Sequence, residues 1–216
     1  MPFLFKVLAA ARPLSIQAHP DKKQALAGFK RENGLAIPPD APHRCYRDQN
    51  HKPEIVCALT PFWALKGFRK VEEMAADFKR LDISTLLNAI SDIRKKSKGP
   101  TVKDFFSVLM TMKRDRQRGI IAEAVSAAEK GADGDPLCSW MVKLNKAFPG
   151  DMGCLSPLFL NLVQLQPGEA MYLPAGELHA YLEGAAVELM ANSDNVLRGG
   201  LTPKTIDIPE LSLIHI

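Results

Sequence analysis

Short apolar runs bounded by proline and glycine occupy the first and last thirds of the chain. Such runs between turn signals are typical of β-strands, and close spacing favours an all-β sandwich or barrel. In the first third the pattern predicts strands over Phe3 to Ala10, Leu14 to Ala18, Glu54 to Leu59 and Pro61 to Phe68. In the last third it predicts strands over Leu160 to Leu165, Ala170 to Leu173, His179 to Leu182 and Ala186 to Met190.

The middle of the chain has a different periodicity. From residue 71 to residue 144 apolar residues recur every three or four positions, which predicts five successive helices. Thr101 is placed to begin a capping box for the third of them, and Asp135-Pro136 begins the fifth. A further helix is predicted over 21–33, with Asp21 as its N-cap and Gly34 as its stop.

These patterns divide the chain into residues 1–69, 70–149 and 150–210. Strand regions flank the helical segment, so we expect a mainly β domain with an inserted α-helical subdomain, an α+β fold. Both ends lack the usual caps and turns, and a fragment is expected. Residues 211–216 form a short apolar tail that we expect to be non-native.

Composition narrows the classes of function. The chain has 216 residues, is 46% hydrophobic and carries a net charge of +4, a mild excess that suits anionic small molecules more than nucleic acid. No apolar run approaches the ~20 residues that cross a bilayer, so no membrane partner is expected. The four cysteines form no metal-binding spacing and are expected to be free thiols in a reducing cytoplasm. The basic run Arg94 to Lys98 is interpreted as a solvated helix end, and no nucleic-acid partner is expected.

Polar side chains that can bind a metal lie at the edges of three predicted strands. Gln17 and His19 share one face of a strand because positions i and i+2 project together. Glu54 begins another strand, and His179 begins a third. Each residue alone is more typical of an ordinary hydrogen-bonded or surface group, but together they predict a site for one divalent cation. Imidazole and oxygen ligands suit zinc, manganese and iron, so their chemistry does not name the metal.

The glycines and proline that precede His179 have the spacing of a known motif. Gly168, Pro174, Gly176 and His179 are spaced as in the second cupin motif, in which a tight turn directs the histidine into a barrel. Several further segments, taken in order, resemble the type I mannose-6-phosphate isomerase family. The segments that carry the resemblance are Pro13 to Pro20, Asn50 to Glu54, Ala58 to Phe62, Gly168 to Leu173, His179 to Leu182 and Asn192 to Lys204.

The resemblance implies a cupin-like jelly-roll barrel whose catalytic domain is interrupted by the helical insertion. It also implies one Zn²⁺ per chain, held by Gln17, His19, Glu54 and His179. The catalytic positions that it implies are Arg198, Lys52, Glu188 and Asp194. The substrate-binding positions that it implies are Ser15, Lys23, Tyr181 and Lys204.

The family interconverts mannose 6-phosphate and fructose 6-phosphate through an enediol, a step that feeds GDP-mannose synthesis. The resemblance therefore implies a cytoplasmic, monomeric enzyme that acts on a phosphorylated hexose. Glu188 or Asp194 is the expected proton-transfer group, and a role for Glu188 in orienting a metal-bound histidine stays open. Relative to the family, this chain lacks leading strands and a further cupin domain, which bears on whether it folds and turns over substrate.

Three other functions compete with this interpretation. Another metal-dependent cupin enzyme, such as an oxygenase, would usually offer more histidines than the five present here. A non-catalytic sugar-binding cupin would not need Arg198 and Lys204, and both are present. An inactive fragment of the isomerase is the third alternative.

Overall fold

The computed structural model describes residues 2–96, 102–204 and 206–213, without the side chains of 92–96, 103, 212 and 213. The chain divides into two compact units. The first comprises Met1–Lys66 and Val163–His215, and the second comprises Gly67–Leu162. No helix within the described ranges is both long and apolar enough to span a bilayer. Thr101, which the sequence predicts to begin a capping box, lies outside the described residues.

The first unit is built on antiparallel strands. The strands among the described residues are β1 Phe3–Ala10, β2 Ile16–Ala18, β3 Glu54–Ala58, β4 Phe62–Phe68, β5 Leu160–Leu165, β6 Ala170–Leu173, β7 His179–Ala191 and β8 Leu197–Gly200. They run in the order β5-β4-β7-β2-β8, with β1 and β3 paired to β7 and β6 paired to β3. Together with the helices of the second unit, this antiparallel architecture gives the α+β, cupin-like fold that the sequence predicts.

Strand β7 joins the two sheets of this unit. Its first residues pair with β2 and β4, whereas residues 184–191 pair with β1 and β3. The change occurs at Gly184, where φ is +119° and an added Cβ would lie 2.6 Å from the carbonyl oxygen of Pro61. Only glycine fits this corner, because both the backbone angle and the space exclude a side chain. The sequence predicts two strands here, and that prediction is wrong because the chain bends through Gly184 without leaving the ladder.

Inward-facing residues of several strands form the core of the first unit. The cluster consists of Val56, Ala58, Phe62, Ala64, Leu165, Met171, Leu173, Tyr181 and Ala186. Gly199 and Gly200 belong to β8, although two adjacent glycines are typical of a tight turn. Their lack of side chains instead lets neighbours approach, since a Cβ on Gly199 would lie 3.1 Å from Leu178.

Two helices accompany these strands. Helix α1, Lys22–Gly34, has the predicted N-cap: Asp21 accepts from the Gln24 backbone, and the Gln24 side chain accepts from the Asp21 backbone, a complete capping box. Helix α7, Ile208–Leu213, was not predicted. Leu211 is buried, so this residue of the supposed tail packs within the first unit.

The second unit contains the five helices that the periodicity predicts. They are α2 Val71–Arg80, α3 Ser84–Lys96, α4 Val102–Thr111, α5 Arg114–Glu129 and α6 Pro136–Ala147. A 3-10 helix, Met152–Leu158, follows them. Residues three or four apart share one helix face. On the inward face of each helix, Met74 and Phe78 of α2 and Ala124 and Ala128 of α5 are fully buried.

Candidate metal centre

Three strand ends place the candidate ligands together in the first unit. His19 directly follows β2, Glu54 begins β3, and His179 begins β7. Gln17 lies opposite His179 across β2 and β7, and opposite Arg198 across β2 and β8. Directly paired residues of antiparallel strands project to the same face, so one row carries a carboxamide, an imidazole and a guanidinium. The loop before β7 is fixed to β2, since the Gly176 N–H donates to the His19 carbonyl at 2.7 Å.

The ligand atoms of His19, Glu54 and His179 all lie within 4.8 Å of one another. Nε2 of His19 is 3.3 Å from one carboxylate oxygen of Glu54, and Nε2 of His179 is 3.4 Å from the other. All three side chains are almost fully buried. Neither Nε2 atom has a hydrogen-bond partner, which is rare for a buried polar atom.

The opposite ring nitrogens determine the tautomer of both histidines. Nδ1 of His19 lies 2.7 Å from the Asn195 carbonyl, and Nδ1 of His179 lies 2.9 Å from the Glu177 carbonyl. A carbonyl oxygen only accepts, so each Nδ1 carries the proton and donates. Both Nε2 lone pairs therefore face the Glu54 carboxylate. Lone pairs that converge in this way repel one another unless a cation lies between them, and donation from Nδ1 is the usual support of a metal-binding histidine.

The acid–base properties of the cluster agree with this arrangement. Burial lowers the pKa of His19 and outweighs the opposing influence of Glu54, so the imidazole stays neutral. The ammonium of Lys52 lies 3.1 Å from Glu54 and favours its ionised carboxylate. A neutral imidazole and an ionised carboxylate are the protonation states that bind a metal.

The carboxamide of Gln17 completes the predicted set. It makes no hydrogen bond with the other described residues, and its register opposite His179 places it beside the cluster. Two nitrogen and two oxygen donors are a set that Zn²⁺ accepts, although a carboxamide is an unusual zinc ligand. The residues present thus fit a single zinc ion.

A network of polar side chains extends from Glu54 along β7. Nζ of Lys52 is 3.1 Å from Glu54, and the Tyr181 hydroxyl lies 3.4 Å from Glu54 while donating to Glu188 at 2.9 Å. Glu188 is buried and forms an ion pair with Lys6 at 2.8 Å. Burial raises the pKa of Tyr181, so the phenol stays protonated and donates. The structure therefore brings Lys52, Tyr181 and Glu188 to the cluster.

Lys6 also belongs to this network of polar groups, and it was not among the predicted site residues. It lies directly opposite Glu188 in the pairing of β1 with β7. The signal was available, because Lys6 is the one charged residue in an otherwise apolar strand. A lone charge at such a position needs a partner, and the partner is Glu188.

Arg198 lines a cavity of about 310 Å³ in the first unit. Its guanidinium makes no hydrogen bond or ion pair with any other residue that the structure describes. An unpaired guanidinium in a cavity is available to an anion. The cavity is lined by His43, Cys45, Arg198, Ile206, Asp207 and Pro209.

The remaining predicted residues lie nearer the surface. Ser15, just before β2, is half-buried, whereas Lys23 on α1 and Lys204 after β8 are exposed. Asp194 is also exposed, and its carboxylate bonds to none of the described residues. The structure thus does not bring Asp194 into the buried cluster.

Comparison with known proteins agrees with this geometry. The family model "Phosphomannose isomerase type I, catalytic domain" matches residues 1–71, and "Phosphomannose isomerase type I, helical insertion domain" matches residues 72–160. The chain belongs to the type I phosphomannose isomerase family. Helices α2 to α6 thus lie, apart from the first residue of α2, in the part of the chain that matches the helical insertion domain, and strands β1 to β4 in the part that matches the catalytic domain.

Curated relatives and solved structures give the extent of the similarity. The chain is 46% identical over 211 residues to mannose-6-phosphate isomerase of Salmonella typhimurium, covering 98% of this chain and 53% of the relative. It is 40% identical over 225 residues to the Homo sapiens enzyme, covering 51% of it. A zinc-bound crystal structure of mannose 6-phosphate isomerase matches with a TM-score of 0.85 and 42% identity, over all of this chain and 54% of that one. The chain thus spans about half the length of its curated relatives.

Proposed function

We propose that the chain carries the site of a zinc-dependent isomerase that interconverts mannose 6-phosphate and fructose 6-phosphate. The observation that carries the proposal is the pair of unpartnered Nε2 lone pairs that face the ionised Glu54. Such a site is unfavourable when empty and favourable when it holds a cation. Similarity to zinc-bound mannose 6-phosphate isomerase supports zinc and this substrate class.

One Zn²⁺ per chain would be held by Gln17, His19, Glu54 and His179. When bound, a divalent cation orients sugar oxygens and spreads the negative charge of an enediolate. The carbonyls of Asn195 and Glu177 hold the two imidazoles with Nε2 directed inward. This support fixes the ligand atoms before any ion arrives.

The isomerisation moves one proton between C1 and C2 of the sugar. We assign this transfer to Glu188, which would take the proton from one carbon and return it to the other. Its support is position: Glu188 is buried, and Tyr181 bridges it to the ligand Glu54. Asp194, the other expected base, is exposed and outside this network. Lys6 and Lys52 would offset the negative charge of Glu188 and Glu54, respectively.

Positive groups around the site suit the phosphate and the developing enediolate. Arg198 has no competing partner among the described residues and lies in register with Gln17. A guanidinium keeps its charge throughout the reaction, so it would stabilise the enediolate beside the metal. Ser15 and Lys204 would bind the phosphate as a hydroxyl donor and a point charge, with Lys23 as a further candidate.

The same proposal covers the cellular role. The enzyme would act in the cytoplasm as a monomer and supply mannose 6-phosphate for GDP-mannose synthesis. Three alternatives remain as outcomes of the test: a sugar-binding cupin without turnover, a different metal-dependent enzyme, and an isomerase fragment without activity.

A coupled assay on mannose 6-phosphate, with and without a chelator, tests the proposal together with elemental analysis of the chain. We expect stoichiometric zinc and turnover that the chelator abolishes. Zinc and ligand binding without turnover would favour the sugar-binding cupin or the inactive fragment, and a metal other than zinc would favour a different enzyme.

A variant separates the roles of the residues. Arg198→Ala should keep its zinc and lose turnover by about 10²–10³-fold, as expected when one stabilising donor is removed. Arg198→Lys keeps the charge but loses the planar fork and should recover only part of the rate. Loss of zinc in Arg198→Ala would contradict the assigned role.

A further inference from the structure

One wall of the cavity that contains Arg198 comes from the segment that leads into α7. Ile206 and Asp207 come from this segment, and Pro209 from the first turn of α7. The segment begins a few residues after β8, so the strand that carries Arg198 and this wall are close in sequence. The position of this wall therefore determines the size of the space around the guanidinium.

Contacts at Glu210 hold the segment in place. One carboxylate oxygen of Glu210 accepts from the Tyr46 hydroxyl at 2.5 Å, and the other accepts from the Arg31 guanidinium at 2.6 Å. Asp207 accepts from the Glu210 backbone N–H at 2.9 Å and so caps α7. Leu211 is 1% exposed and lies near Gly199, next to Arg198.

Tyr46 is a rigid anchor for this contact. Its backbone N–H donates to Glu32 at 2.9 Å, and its ring packs so closely on α1 that a Cβ at Gly28 would lie 2.4 Å from it. Arg31 also extends from α1, with its guanidinium carbon 5.7 Å from the centre of the Tyr46 ring. The Arg31 side chain is 45% exposed, so its ion pair is the weaker of the two contacts.

We propose that Glu210 is a positioning residue that holds the cavity wall against Arg198. By binding Tyr46 and Arg31, it fixes the segment from Ile206 to Pro209 and so sets the size of the anionic ligand that reaches the guanidinium. The ligand class is a phosphorylated sugar, and this part of the inference rests on the proposed function. That Glu210 holds the segment in place follows from its contacts with Tyr46 and Arg31 alone.

The reactivity of the Cys45 thiol reports whether the cavity wall is in place, and measuring it requires no ligand. It lines the same cavity and is buried, and burial raises the pKa of its thiol to about 12. Thiolates are the reactive form, so alkylation is slow while the wall is closed. Release of the wall hydrates the thiol, lowers its pKa towards the ordinary value and speeds alkylation.

The first experiment measures alkylation of Cys45 by N-ethylmaleimide, followed by peptide mass spectrometry in a Cys57→Ser background. Glu210→Ala and Tyr46→Phe should each speed the reaction by about ten-fold, the effect of losing one charge-assisted hydrogen bond. Tyr46→Phe keeps the ring on α1, so it tests the contact even if Glu210→Ala unfolds. Glu73→Gln, which removes the exposed carboxylate of an ion pair with Arg69, is the matched control and should leave the rate unchanged. Rates within two-fold of the parent chain in both test variants would overturn the proposal.

The second experiment measures binding of mannose 6-phosphate by calorimetry in the same variants. Tyr46→Phe should weaken binding by several-fold, and any change in turnover should appear in KM more than in kcat. Faster alkylation with unchanged affinity would overturn the ligand-selecting part. If the parent chain binds no mannose 6-phosphate but Cys45 still responds to Tyr46→Phe, the proposed function fails and the positioning role of Glu210 stands.

Discussion

Two buried polar clusters in the first unit differ in how fully their atoms are bonded. In one cluster, the Arg44 guanidinium donates from each of its nitrogens, to the carbonyls of Tyr46 and Ile37 and to the side chain of Asn33. Glu32 beside it accepts from the backbone N–H groups of Cys45 and Tyr46. In the other cluster, around Glu54, two buried imidazole nitrogens have no partner.

This difference separates a structural cluster from a functional one. Buried polar atoms are costly unless they are bonded, so a fully bonded network stabilises one conformation of the surrounding loop. Unbonded lone pairs that converge on a carboxylate are unfavourable unless a cation lies between them. Burial alone would not distinguish the clusters, since Arg44 and His19 are both 2% exposed.

The largest effect is expected in the bonded cluster. Arg44→Met should lower the free energy of unfolding by about 3–5 kcal/mol, because it leaves Glu32 and three acceptors without their charged donor. Urea unfolding measures this loss. Arg47→Met, at an exposed arginine three residues away, should change stability by less than about 0.5 kcal/mol. A loss below about 1 kcal/mol for Arg44→Met would remove the distinction between the clusters.

The metal cluster should respond to the loss of a ligand mainly through its ion. His19→Ala should weaken zinc binding by more than about 100-fold. Even the mutation of a residue that only holds a metal ligand in place lowers metal affinity by about 10–100-fold. A chelator should lower the unfolding midpoint of the parent chain and leave that of the variant unchanged. His51→Ala, at an exposed histidine near Glu54, is the control and should keep its zinc. Stoichiometric zinc in His19→Ala would disprove the assignment.

Acid should destabilise the zinc-free chain through the same cluster. The pKa of His19 is lowered in the folded state, so the unfolded chain binds its proton more tightly, and stability that is complete above pH 6.5 declines as the pH falls. The slope is at most about 1.4 kcal/mol per pH unit for this group. His19→Ala should flatten this part of the stability curve, and an unchanged curve would contradict the assignment.

The smallest effect is expected at Tyr181, which lies between Glu188 and the candidate metal ligand Glu54. Tyr181→Phe removes the hydroxyl that joins Glu188 to Glu54 but keeps the edge-on ring contact with Phe62. Stability should fall by about 1 kcal/mol, the net value of one hydrogen bond, and the zinc content should not change. Loss of zinc in this variant would make Tyr181 part of the metal site rather than its neighbour.

Much of the fold follows from local patterns. Helices α2 to α6 and strand β1 lie where periodicity predicts them, and the Asp21 capping box forms as expected. The error at Gly184 arose because the glycine was interpreted as a break between two strands, whereas tertiary packing keeps it within β7. Gly199 and Gly200 likewise lie within a strand, β8. Helix α7 was missed because the partners of its Glu210, Tyr46 and Arg31, are distant in sequence. The bonded Arg44 cluster was missed because it lies in an irregular loop, where no periodic pattern indicates which polar groups meet.

The sequence by itself determined the residue types, strand parity and motif spacing that indicate a metal site at Gln17, His19, Glu54 and His179. Only the tertiary structure decided that Lys6 joins Glu188 and that Asp194 stays outside the cluster. It also decided which imidazole nitrogen carries the proton, because that choice depends on carbonyls that folding brings to each Nδ1. Local propensity acts over a few residues, whereas the charge and lone-pair environment of a site depends on every strand that reaches it.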